Sequence, residues 1–221
     1  MEYVRIANIE DPLFKQMHDL MGTVFPKEEV LEFNLWAEPL QDPGIRVFVA
    51  VQDGQVIGAT EYRYYEDFQV AMTDFTIIGR DGMGIGPFLA KKRFEDLQAL
   101  VKEKGRRLIG MFAEIYNPQH VEMLAFGGVK AMNPVVRREV LAHLGYRKLD
   151  FDYVHPSWEV DGEAVHGLDL CFLPFEDLDA VPAELVVDFL KRYYSVLPKP
   201  QEWLDMVAAL EKRDSVKLLV I

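Results

Sequence analysis

Along its first third the chain alternates apolar and polar positions in short runs punctuated by turn residues. Tyr3 to Ile9 sets Val4 and Ile6 against Arg5 and Ala7, which predicts a first strand. From Asp11-Pro12 the period lengthens, with Leu13, Met17, Leu20, Met21 and Val24 at helical spacing. An acidic cap followed by proline suits a helix start. Pro26 ends this helix, and a second, shorter one is expected from about Lys27 to Leu40, carrying Leu31, Phe33, Leu35 and Trp36. Arg46 to Val51 and Gln55 to Tyr64 read as strands joined at Asp53-Gly54, a hairpin signal. Tyr65 to Phe68 turns again, and Gln69 to Ile78 completes a three-strand meander.

The pattern then shifts to a glycine loop and a helix. Gly82, Gly84 and Gly86 alternate with Asp81, Met83 and Ile85, and Pro87 stands at a natural first helical position. Ala90, Phe94, Leu97 and Val101 predict the buried face of that helix, and Gly105 its end. Leu108 to Ile115 is a strand expected to run parallel to the one ending at Ile78, because a helix crosses between them. Residues Asn117 to Ala131 form a long insertion, a lid or a surface loop. Asn133-Pro134 caps a helix with Val136, Val140 and Leu144 on one face, and after Gly145 a strand sets Leu149, Phe151 and Tyr153 against Asp150 and Asp152. Gly167 to Phe175 is an apolar strand.

Past Phe175, Leu185, Phe189, Leu190 and Tyr193 mark one helix, Trp203, Val207 and Leu210 another, and Val216 to Ile221 a terminal strand. Such a strand must pair, with a sheet edge in its own subunit or in a neighbour, as in a homodimer. The expected organisation is a main domain over residues 1–175 and a helical appendage over 176–221 that ends in a strand.

Composition narrows the function. The chain has 221 residues, half of them apolar, which is material for a real core. A net charge of -12 argues against nucleic acid and anionic membranes and for a cationic or small partner. No apolar run approaches the roughly 18 residues of a membrane span. The single cysteine, Cys171, excludes an internal disulfide and makes the cytoplasm the default compartment. His18, His120, His143, His155 and His166 show no metal spacing, so no metal is expected.

A strand, a bare loop and a helix N-terminus in that order suit a phosphate, because free N–H groups and the positive end of the helix dipole converge there. A P-loop would need Lys and Ser or Thr after the last glycine, where Pro87 and Phe88 stand. The Rossmann fingerprint fits poorly, since the chain offers G-x-G-x-G after probable antiparallel strands. The loop resembles motif A of the GNAT superfamily of acyl-CoA N-acyltransferases, a strand, then [Q/R]-x-x-G-x-[G/A], then a helix. Gly84-Ile85-Gly86 is the final triplet, while Asp81 holds the Gln or Arg place with Arg80 beside it. The order of strand, two helices, meander, glycine loop and helix is also the GNAT order. The stretch from Asn133 to Pro156, where a helix ends in Leu-Gly-Tyr and runs into a strand, resembles the end of that domain. A tight strand-to-helix turn with no ligand is the bland alternative.

The resemblance implies an α/β (α+β) GNAT fold, a mixed central sheet flanked by helices, here with a C-terminal helical extension and a terminal strand. It implies an N-acetyltransferase that uses acetyl-CoA as co-substrate, with an amine of a small molecule or peptide as acceptor. The pantetheine arm would enter between the two parallel strands, where they splay. Thr76, Ile77, Ile78, Arg80, Gly82, Met83, Gly84, Ile85, Gly86 and Asn133 are the expected donor-binding residues, with an oxyanion N–H around Thr76 to Ile78. The tyrosine acid common in the family would fall four residues before Gly145, where Leu141 stands, leaving His143, Tyr146 and Tyr153 as substitutes. For a base, Glu114 and Glu61 lie among apolar or aromatic neighbours whose burial would raise a carboxyl toward the useful range. A non-catalytic acyl-CoA-binding or sensor module stays open beside the enzyme, as does a nucleotide-binding α/β protein.

Overall fold

The computed structural model describes residues 1–25, 30–80, 82–120, 134–157 and 162–221. These fall into two compact units, residues 1–109 and, beyond them, 110–120 with 134–221.

The first unit contains β1 (Glu2–Ile6), α1 (Pro12–Val24), β2 (Ile45–Gln52), β3 (Gln55–Tyr65), β4 (Val70–Ile78) and α2 (Ile85–Glu103). Its strands pair antiparallel in the order β1, β2, β3, β4. Asp53 and Gly54 both take positive φ, 53° and 75°, the backbone a two-residue hairpin needs to match strand twist. The Asp11 side chain accepts from the Leu13 N–H at 2.8 Å, capping α1 as its sequence predicts. α1 then buries Phe14, Met17 and Met21 against Val47, Val49, Phe75 and Ile77.

α2 packs Ile85 and Leu89 with Ala50 and Ile57. It comes close at Gly58, where an added Cβ would lie 2.5 Å from the Ile85 side chain. The buried row of α2 is Ile85, Leu89, Arg93, Leu97 and Val101; Leu97 and Val101 are buried as expected, while Leu89 and Arg93 stand in place of Ala90 and Phe94, the latter 41% exposed. The helix also starts at Ile85, so Pro87 stands at its third position. A missing N–H costs nothing there, because the first four N–H groups have no partner within the helix.

The expected helix from Lys27 to Leu40 is not formed. Lys27 itself lies outside the described residues, and two 3-10 segments, Phe33–Ala37 and Pro39–Gln41, stand in its place. Glu38 between them keeps αR backbone angles, φ -73° and ψ -52°, but Pro39 has no N–H to continue the hydrogen bonding and splits the run. Trp36 is buried and donates its indole N–H to the Leu31 carbonyl at 3.2 Å, while Leu35 points outward.

The second unit contains β5 (Gly110–Tyr116), α3 (Pro134–His143), β6 (Arg147–Leu149), β7 (Leu168–Pro174), β8 (Ala180–Pro182), α4 (Ala183–Tyr193), α5 (Gln201–Leu210) and β9 (Ser215–Leu219). β5 pairs with β7, β7 with β6, β6 with β9 and β9 with β8, all antiparallel. Phe112 of β5 stacks on Phe189 of α4 at 4.0 Å and meets Phe172 of β7 edge-on. Gly110 is required beside them, since a Cβ would fall 2.2 Å from the Phe172 ring.

The terminal strand finds both of its neighbours, β6 and β8, inside its own chain, and it buries Val216 and Leu218. Val220 lies beyond it and is exposed. β6 is three residues long rather than a full strand, although Leu149, Phe151 and Tyr153 are buried as their alternation predicts.

Candidate active site

The loop between β4 and α2 is built by its glycines. Gly82 and Gly84 take φ of 75° and 68°, a region L side chains rarely enter. Both are exposed, and a Cβ at either would meet nothing within 4 Å. Gly84 caps α2 without any side-chain acceptor, so the first N–H groups of this 19-residue helix are not met by a cap. This geometry fits a phosphate group approaching the backbone closely.

Of the other expected donor-binding residues, Arg80 is exposed and donates to Gln55 Oε1 at 2.8 Å. Ile85 is fully buried, and Met83 and Ile78 pack beside it. Gly86 is buried against the Ile78 side chain. Ile77 belongs to the core under α1, and Thr76 Oγ1 accepts from Arg93 at 2.9 Å. Asp81, Asn133 and most of the long insertion lie outside the described residues.

The two candidate bases occupy different surroundings. Glu61 of β3 stands opposite Phe75, and its neighbour Tyr62 stands opposite Thr73. Asp74 is therefore an extra residue in β4, a bulge that carries a second carboxylate toward Glu61. Burial, reinforced by the charge of Asp74 and a hydrogen bond with it, pushes the Glu61 carboxyl well above the usual carboxylate range, against a smaller opposing pull from Arg63.

Glu114 of β5 keeps 18% of its side chain in solvent. Its Oε1 accepts from the hydroxyls of Tyr153 and Tyr194, and these two hydroxyls also touch each other. Tyr153 and Tyr194 are buried, and burial followed by the Glu114 charge holds both phenols well above their ordinary range. His155, fully buried, puts Nε2 3.9 Å from Glu114 Oε1 and its ring edge-on to Tyr194 at 5.0 Å. The structure thus joins two residues singled out from the sequence, Glu114 and Tyr153, with two that were not, Tyr194 and His155. The Tyr193-Tyr194 pair at the end of an amphipathic helix was the available signal for Tyr194.

Cys171 is buried in β7, and burial pushes its thiol up to about 12, which rules out a nucleophile at neutral pH. Among the described residues no group of three or more His, Cys, Asp or Glu side chains could hold a metal ion, and no helix is long and apolar enough to cross a membrane.

No protein-family model and no curated protein matches the chain. Solved structures do. A protein assigned to the GNAT acetyltransferase family from Bacteroides thetaiotaomicron superposes with a TM-score of 0.62 over 89% of this chain and 97% of its own, at 16% identity. An aminoglycoside 6'-acetyltransferase gives 0.53 over 78% of this chain and 95% of its own, at 15% identity. A spermidine N-acetyltransferase chimera that includes the Vibrio cholerae protein gives 0.53 over 79% and 96%, at 13% identity. Identities this low carry the fold and not the activity, and on that footing the chain has the mixed α/β fold of the GNAT acetyltransferases.

Proposed function

We propose that the protein is an N-acyltransferase that moves an acetyl group from acetyl-CoA directly to an amine of a small molecule or peptide. The observation that carries this reading is the open glycine loop at the N-terminus of α2, on a fold shared with acetyltransferases. The N–H groups from Gly82 to Gly86, Pro87 excluded, would take the CoA pyrophosphate, each such interaction contributing roughly 0.3–1 kcal/mol at an exposed helix end. Two structural neighbours are named for amine acceptors, an aminoglycoside and spermidine. A net charge of -12 favours acceptors of that cationic kind. The unpaired, buried Cys171 accords with a cytoplasmic location.

When bound, acetyl-CoA supplies the thioester carbonyl. This chain's residues would hold its anionic end, offer a β4 backbone N–H to the developing oxyanion, and remove a proton from the ammonium. Glu114 is assigned the last role, directly or through water, because its carboxylate combines solvent access with fixed hydrogen-bond partners. Glu61, also considered from the sequence, has its carboxyl pushed well above the usual range by burial and by Asp74 beside it, which suits it less as a resting base. A non-catalytic acyl-CoA-binding module is the second reading, favoured by Leu141 at the place of the family's tyrosine acid.

The test is Gly84→Asp beside Gly84→Asn. Asp and Asn tolerate positive φ better than other L residues, so the two variants should melt together, slightly below the parent. The Asp carboxylate would repel the pyrophosphate, weakening CoA by about tenfold or more in calorimetry, with a smaller loss for Asn. Equal CoA affinity in Gly84→Asp and the parent would remove the loop assignment. Release of CoA from acetyl-CoA with a panel of polyamines, aminoglycosides and peptides separates the enzyme from the binding module.

A further inference from the structure

Tyr194 lies where α4 ends, in the segment the sequence sets apart as an appendage, yet its hydroxyl reaches the same Glu114 oxygen as Tyr153. The end of α4 is tied down for this. Lys199 Nζ donates to the Tyr194 and Leu197 carbonyls, each at 2.6 Å, and the Tyr193 and His155 rings pack edge-on to Tyr194 at 4.6 and 5.0 Å. Among the described residues, Tyr193 and His155 are titratable groups that also face the cluster. His155 Nδ1 contacts the Pro156 carbonyl, which can only accept, so Nδ1 carries a ring proton there, and Nε2 lies 3.9 Å from Glu114 Oε1.

Three oxygens, Glu114 Oε1 and the two phenols, are in mutual contact. Each contact needs one bridging proton. Two phenols supply two protons and a carboxylate supplies none, so the ring is one proton short. A carboxylate that gains a proton fills the third contact, and all three oxygens then donate once and accept once.

We propose that Tyr194 is a positioning residue for Glu114, closing with Tyr153 a three-oxygen ring that takes up the proton released by the acceptor amine. The inference rests on the acyltransfer reading and extends it by making the C-terminal segment part of the proton path. The ammonium gives one proton to Glu114 Oε1, and the freed nitrogen pair forms the C–N bond. The C–S bond breaks with its electron pair on sulfur. The nitrogen loses a second proton as the amide forms. Of the two protons lost, one ends on the CoA thiol and the other leaves through the ring to solvent.

The experiment pairs Tyr194→Phe with the parent, using acetyl-CoA, the panel amine that gives the fastest CoA release, and NMR of ring-labelled tyrosine. The Phe variant keeps the ring contacts and should keep the melting temperature. Expected are a fall in kcat of about tenfold with KM for acetyl-CoA unchanged, and a displaced Tyr153 resonance that reports the lost hydroxyl contact. An unmoved Tyr153 resonance overturns the inference whatever the activity. A moved resonance with unchanged kcat also overturns it, leaving a packing contact and an intact acyltransfer reading. A parent that releases no CoA with any amine, while the resonance still moves, overturns the acyltransfer reading itself and the proton path with it.

Discussion

Each unit holds a half-buried carboxylate that accepts from tyrosine, and the two differ in what balances the charge. In the first, Asp96 of α2 takes the Arg46 guanidinium through both oxygens at 2.5 Å and the Tyr62 hydroxyl at 2.6 Å, with the Tyr3 hydroxyl behind Tyr62 at 3.2 Å. The neighbouring Arg93 donates to Thr60, Thr73 and Thr76 and, with the Arg46 to Asp96 pair, fastens α2 to the sheet. In the second, Glu114 is met by two phenols, and the basic group beside it is His155 at 3.9 Å. A carboxylate paired bidentately with arginine has its charge committed to structure. One met by neutral donors has no arginine committed to it, while the two side chains keep similar shares of solvent, 19% for Asp96 and 18% for Glu114.

The largest effect that sharpens this contrast is on stability in the first unit. Asp96→Ala leaves Arg46 largely buried without its partner, and should destabilise the protein by roughly 3–5 kcal/mol in chemical denaturation. A loss below about 1 kcal/mol would show the pair to be no more than a surface contact. Next comes activity in the second unit. Glu114→Gln keeps the shape and removes the basicity, so kcat should fall by roughly 100-fold while the melting temperature changes little. A change of only a few-fold in kcat would move the role to Glu61 or to water.

The smallest effect is a pH dependence at Glu61. Its folded-state carboxyl lies above the ordinary value, so the stability it contributes is fully present below the unfolded value and is lost as pH rises through the folded one. The neutral Glu61→Gln variant should therefore match the parent near pH 4.5, where an unperturbed glutamate titrates, and become the more stable of the two as pH rises. Parallel stability curves for the two proteins would show that Glu61 is not held neutral.

Legibility in the sequence followed locality. Asp11 as a cap, Asp53-Gly54 as a hairpin and the glycine loop were readable because each is a backbone requirement satisfied within a few residues. The segment after Leu31 was misread as an α-helix because its aromatic residues suggested a core face, while Pro39 set the actual boundary. Arg93 could not be placed on the buried row of α2 from periodicity, since its charge argues for solvent until three threonines on β3 and β4 are known to receive it. The Glu114 cluster was half visible. Glu114 stood out by its apolar surroundings and Tyr153 as a substitute for the family's tyrosine acid, but Tyr194 reaches them only through the docking of α4, a long-range contact of which the Tyr193-Tyr194 pair gives only a weak local mark.

The place of β9 between β6 and β8 bears on the order in which the protein folds. Strands β2, β3 and β4 are consecutive hairpins, closed by short loops, and can form quickly and early. β9 can pair with β8 across α4 and α5, but it must bring residue 219 to residue 148 before its other edge is filled, and the loop entropy of that closure is offset only once the pairing is complete. The first unit's sheet should thus acquire protection from hydrogen exchange before the second's. Glu114 then gains its Tyr194 partner among the last contacts of folding, so a chain arrested before β9 docks would have its meander in place and its carboxylate ring still open.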